Sequence, residues 1–125
     1  MNGLSTYQQH LDLASERFWA AEEQYNREKF HTADHLFINA AINYHNALCQ
    51  KFLSRIPSHK AHSDTSYFPE LRQFLGNDLQ KYRDAYEFLI TYKSQADYGV
   101  GLSAGIAKQI YRRAQTIKEI AGSLL

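Results

Sequence analysis

The chain is short of the residues that make sheets, disulfides and helix breaks. It has one valine, Val100, and five threonines against fourteen alanines, a poor supply of β-branched side chains for strands and a good one for helices. Only Pro57 and Pro69 interrupt its 125 residues, so long helices are allowed. A single cysteine, Cys49, excludes an intrachain disulfide and a cysteine-rich zinc site, and it fits a reducing compartment. Neither sign of charge dominates, since 14 Lys and Arg against 13 Asp and Glu leave a formal charge of +1. So weak a field recruits no nucleic acid in bulk, and any nucleic-acid site must be local. No stretch reaches the about 18 apolar residues of a membrane span, and Met-Asn-Gly-Leu-Ser-Thr has neither the basic nor the apolar region of an export signal. The expectation is a cytoplasmic protein with no membrane attachment, folded as one domain over residues 1–125.

What the chain has in quantity is aromatics: nine Tyr, seven Phe and one Trp. Their spacing decides whether they are core or binding groups. Leu4, Tyr7, Leu11, Ala14, Phe18, Ala21 and Tyr25 alternate by three and four, which gives a first amphipathic helix over roughly residues 5–28 with Ser5 or Thr6 as N-cap. A second run, Leu36, Phe37, Ala40, Ala41, Tyr44, Ala47, Leu48, Cys49 and Phe52, predicts a helix over roughly residues 33–54 with a wider apolar face. It is expected to be the most buried element. Residues 54–68 lack helical period and read as a loop. Pro69 suits the first turn of a third helix that carries Leu71, Phe74, Leu75, Leu79, Tyr82, Ala85, Tyr86, Leu89 and Tyr92, with Gly76 and Asn77 as the place to kink or break. Ser103 caps a last helix with Ile106, Ile110, Ala114, Ile117 and Leu124 on one face. The fold class is all-α, an up-and-down bundle of four long helices with room for a fifth short one.

Several residue groups invite chemistry. His31 and His35 are four apart, and Glu28 with His31 forms a Glu-x-x-His, the metal-binding unit of di-iron bundles. Such bundles need two of these units, and the Glu70 and Glu87 segments carry no histidine. The cluster therefore reads as polar residues at a helix junction, with Asp34 or Thr32 as N-cap, and neither a metal nor a cofactor is expected. Cys49 lies on an apolar face and reads as a small buried hydrophobe rather than a nucleophile. Gly99-Val100-Gly101 follows no strand and lacks the spacing of a phosphate loop. Basic and aromatic residues interleave at Lys81-Tyr82-Arg83, Tyr92-Lys93 and Tyr111-Arg112-Arg113, where a helix would turn the tyrosines inward and the charges outward. Asn39, Asn43, His45 and Asn46 are polar positions on a buried helix and need partners, so they mark an interface or a cleft.

The run Asn39-Ala40-Ala41-Ile42-Asn43-Tyr44-His45-Asn46-Ala47-Leu48, the element Lys60-Ala61-His62-Ser63 and the segment Tyr92-Lys93-Ser94-Gln95-Ala96-Asp97-Tyr98-Gly99, followed by an amphipathic helix, resemble HEPN domains. The small stand-alone HEPN-like proteins of bacteria and archaea are the nearest in pattern. The resemblance implies a bundle of four or five helices, commonly a homodimer, often paired with a minimal nucleotidyltransferase in toxin–antitoxin or other defence systems. Active members are metal-independent endoribonucleases that use an Arg followed, four to six residues later, by a His. Here Lys93 stands at the Arg position, and no histidine follows His62. The imidazole and the bidentate phosphate fork are both lost. No catalytic residue is therefore assigned, and the expectation is a dimeric, non-catalytic domain that binds a nucleotide, RNA or a partner protein. Its ligand-binding residues would be Lys93, Asp97, Tyr98, Asn39, Asn43, Tyr44 and His62. The alternative is a ribonuclease in which a displaced His62 works with Lys93 or Arg55.

Overall fold

The computed structural model describes residues 2–54, 67–99 and 101–125. They form α1 (Asn2–Asn26), α2 (Phe30–Leu53), α3 (Tyr67–Leu75), a 3-10 turn (Gly76–Asp78), α4 (Leu79–Tyr98) and α5 (Ala104–Leu124). The chain is thus an all-helical bundle of four long helices and one short one, with no strand among the described residues. α1 begins ahead of Ser5 and Thr6, which lie within the helix rather than at its cap. The third predicted helix is indeed divided at Gly76, whose φ of +55° takes the chain out of the α3 axis into the 3-10 turn. Ser103 caps α5 as expected, its hydroxyl accepting from the Ile106 N–H at 3.2 Å.

α2 is the central element because nearly all its faces are apolar or paired. Ala33, Phe37, Ile38, Ala40, Ala47, Leu48 and Cys49 are fully buried, and the alanines let neighbouring helices approach closely. α1 covers one side with Ala14, Phe18 and Ala21, and α5 another with Ala107, Ile110, Ala114, Ile117 and Ala121. Cross-contacts fix the directions. His45 meets Tyr82 while His35 meets Asp97, so α4 runs antiparallel to α2. Lys51 near the end of α2 donates to the Leu124 carbonyl near the end of α5, so those two run parallel. Two aromatic clusters fill the bundle: Phe18, Tyr25, Phe37 and Tyr111 between α1, α2 and α5, and His45, Phe68, Tyr82 and Tyr86 between α2, α3 and α4. Tyr82 and Tyr111 therefore point inward, as the helical spacing requires. Arg113 lies over the Phe88 ring at 5.1 Å and Arg83 over Phe68 at 5.8 Å.

The α1–α2 connection is three residues long and closed by backbone alone. Lys29 N–H donates to the Gln24 carbonyl and Glu28 N–H to the Tyr25 carbonyl, both at 2.9 Å, the paired bonds of a Schellman motif. That motif needs a left-handed residue, and Glu28 supplies it at φ +60° where a glycine would be cheaper. Glu28→Gly is accordingly expected to stabilise the fold by about 0.5–1 kcal/mol, a rise in Tm of about 2–4 °C. A thermal melt that falls instead would contradict this reading of the turn.

Candidate functional site

The N-terminal turns of α2 and the C-terminal turn of α4 come together because the helices are antiparallel. Between them lies a cleft of about 270 Å³ lined by His31, Thr32, His35, Ala96, Asp97, Tyr98 and Gly99. Gly99 is one of the lining residues. At φ +67° it ends α4 with its N–H on the Ala96 carbonyl, and a Cβ there would meet nothing within 4 Å, so only the backbone conformation asks for glycine.

Asp97 is the hub of the polar groups. One carboxylate oxygen accepts from Lys93 Nζ at 2.5 Å, one turn back on α4, and the other is 2.9 Å from Nδ1 of His35 on α2. A carboxylate in the last turn of its own helix faces the negative end of the helix dipole, so these two partners and the nearby N-terminus of α2 compensate. Burial pushes the Asp97 carboxyl up, but the hydrogen bonds and charges of Lys93 and His35 outweigh it, and the group sits below the usual carboxylate range. An ionised carboxylate only accepts, which places the proton of a neutral His35 on Nδ1 and leaves Nε2 as an acceptor. Asn39 donates from Nδ2 to the His35 carbonyl at 2.8 Å and bounds the same ring at 3.4 Å from Nδ1. Tyr98 projects at the rim with 80% of its surface exposed.

The expected binding residues divide on this geometry. Lys93, Asp97, Tyr98 and Asn39 come together at or beside the cleft. Asn43 and Tyr44 do not: Asn43 accepts from Arg17 of α1 at 2.6 Å, and Tyr44 is 3% exposed and hydrogen-bonded to Ser15. His62 and Arg55 lie outside the described residues. Lys93, one of the expected binding residues, has its charge matched by Asp97.

Two expectations about the helix junction are corrected. The N-cap of α2 is Lys29, which makes no side-chain cap bond, because the Schellman closure already starts the helix before Thr32 or Asp34 could cap it. Asp34 is instead fully buried, and among the described residues neither of its carboxylate oxygens has a hydrogen-bond partner. Burial alone pushes its pKa up to about 7. The other polar positions of α2 are mostly satisfied: His45 Nδ1 lies 2.8 Å from the Tyr82 hydroxyl and Nε2 lies 3.6 Å from Cys49 Sγ, while Asn46 Oδ1 has no partner among the described residues.

His35, His31 and Thr32 are cleft residues that sequence reasoning did not assign to binding. The spacing of His31 and His35 is visible in the sequence, but weighed as a metal pair it reads as polar residues at a helix junction; among the described residues no group of three His, Cys, Asp or Glu could hold a metal. Nor is any described helix long and apolar enough to cross a membrane. The structure defines a class, a helical bundle with a polar inter-helix cleft. No protein-family model matches the chain, and no curated protein or solved structure is significantly similar to it.

Proposed function

We propose that this chain is a non-catalytic binding module, working as a dimer, that takes a nucleotide or an RNA segment in the cleft between α2 and α4. The observation that carries the reading is the meeting at that cleft of Asp97 and Tyr98, with Lys93 and Asn39 beside them through their contacts to Asp97 and His35. These are residues of two of the three segments in which the sequence resembles HEPN domains, and an exposed tyrosine at the rim of a polar cleft is a ready stacking platform. Elsewhere, Trp19 is a large apolar side chain left 63% exposed on α1. The resemblance makes a second copy or a nucleotidyltransferase of a toxin–antitoxin pair the occupant to test there.

Titration of the full chain with AMP and a short single-stranded RNA tests the reading. Tyr98→Ala is expected to weaken binding about tenfold or more, since stacking of one base is worth about 1–3 kcal/mol. Lys93→Ala is expected to weaken it as well, by leaving Asp97 without its cation. Absence of binding to wild type and both variants alike would remove the ligand role.

A further inference from the structure

α1 and α5 meet along a seam that two side-chain contacts fix. The Tyr111 hydroxyl donates to Glu22 at 2.5 Å, and Lys118 Nζ lies 4.6 Å from the centre of the Phe18 ring, so the two helices run antiparallel. Helical spacing carries each contact along its helix. Asp12 and Trp19 share a row with Glu22, at steps of seven and three, and Lys108 shares one with Tyr111 and Lys118. Asp12 and Trp19 therefore border the seam on the α1 side and Lys108 on the α5 side, with Glu16, Glu23 and Arg112 on the next rows out. Asp12, Glu16, Lys108 and Arg112 are exposed and Glu23 is half-buried. Among the described residues none of these five charges forms an ion pair or a side-chain hydrogen bond. One surface thus carries an acidic stripe on α1 beside a basic stripe on α5, both unpaired.

Two stripes of opposite sign define what fits that surface. A partner of one sign is drawn to one stripe and repelled by the other. A second copy, turned about a twofold axis along the seam, lays its α1 on α5 of the first and its α5 on α1, and so matches both stripes at once. Because Tyr111 is level with Glu22, the same rotation brings Glu23 of each copy level with Arg112 of the other. Trp19, 63% exposed and one turn from both Glu16 and Glu23, is the apolar anchor among these charges. We infer that the α1–α5 face is where the protein pairs with a second copy of itself, by reciprocal contact of the acidic α1 stripe with the basic α5 stripe around Trp19. The inference rests on the dimer of the function proposed above and adds to it the surface on which the dimer forms. That surface shares no residue with the cleft between α2 and α4.

Sedimentation of the full chain over a dilution series tests this, with the emission of Trp19, the sole tryptophan, read in parallel. The expected result is a monomer–dimer equilibrium in which dissociation shifts the Trp19 emission to longer wavelength as the ring meets water. Trp19→Ala is expected to weaken the dimer about tenfold or more, and Arg112→Glu, which sets like charges against one another, about tenfold or more. Combining Glu23→Arg with Arg112→Glu restores opposite signs and should recover most of the lost affinity, a rescue that damage to the fold would not give. Trp19 and Arg112 are exposed, so their variants should fold. A dimer of the same affinity in all the variants, or a Trp19 emission that does not follow dissociation, would overturn this face and leave the dimer standing. A chain that stays monomeric at every concentration would overturn both, while the AMP and RNA titrations judge the cleft separately.

Discussion

Asp34→Asn is expected to stabilise the protein at pH 8 by about 2–4 kcal/mol and to leave it unchanged or less stable by up to about 2 kcal/mol at pH 4. The wild-type carboxyl is buried with both oxygens unpartnered among the described residues, and its pKa rises from 3.8 in the unfolded chain to about 7 in the fold. Between those values the folded chain keeps a proton that the unfolded chain has released. Stability therefore falls as pH rises through that window, and it is flat below 3.8, where both states are protonated. At about 1.4 kcal/mol per pH unit the full cost of the buried anion is about 4 kcal/mol, and burying an unpartnered amide in its place takes back part of the gain. Asp97 works in the opposite sense. Its pKa is lowered, so the stability it contributes above the unfolded value is lost as pH falls. Urea melts between pH 4 and 8 separate the two, because Asp34→Asn should remove only the slope on the neutral side. A wild-type profile flat from pH 5 to 8, or a variant less stable at pH 8, would contradict the burial of an unpaired carboxyl.

Phe37→Ala is expected to cost about 3–5 kcal/mol, a large share of the about 5–15 kcal/mol that holds a domain of this kind together. Phe37 is fully buried and joins three helices: its ring stacks on Tyr111 of α5 at 4.6 Å, and meets Phe18 of α1 edge-on at 5.3 Å. Removing it leaves a cavity that none of those rings can fill, since Tyr111 is also tied to Glu22 by a 2.5 Å hydrogen bond. Phe37→Leu, which keeps most of the volume, should cost much less. Chemical denaturation followed by far-ultraviolet circular dichroism measures both. Losses below about 1 kcal/mol for Phe37→Ala would mean that the α1–α2–α5 cluster is not a cooperative part of the core.

The helices were legible because helical periodicity is local. The stripe of Ala14, Phe18 and Ala21, the break at Gly76 and the cap at Ser103 each depend on neighbours within a turn or two. The cleft was legible only in half. Lys93, Asp97 and Tyr98 are close in sequence, but His35 is 62 residues from Asp97, and no local pattern says that α4 will lay its last turn against the first turns of α2. Asn39, Asn43 and Tyr44 look equivalent on a broadly buried helix. They differ in which neighbour they meet: Asn39 sits by His35 on the α4 side, while Arg17 and Ser15 of α1 take Asn43 and Tyr44. Asp34 resembled a cap by residue type, and only the backbone closure through Glu28 shows why it lies inside the helix instead. Most of the aromatic excess is core, as Phe18, Phe37, Phe68, Tyr82 and Tyr86 show, whereas Tyr98 stands in solvent at the cleft.

The most direct test of the cleft as the ligand site is an amide-resolved NMR titration of the full chain with AMP and with a short single-stranded RNA. The expected result is a set of shifts centred on His31, Thr32, His35, Asp97, Tyr98 and Gly99 that saturates with the ligand and weakens in Tyr98→Ala. Saturation with those amides unmoved, or shifts centred on the Trp19 side of α1, would contradict it.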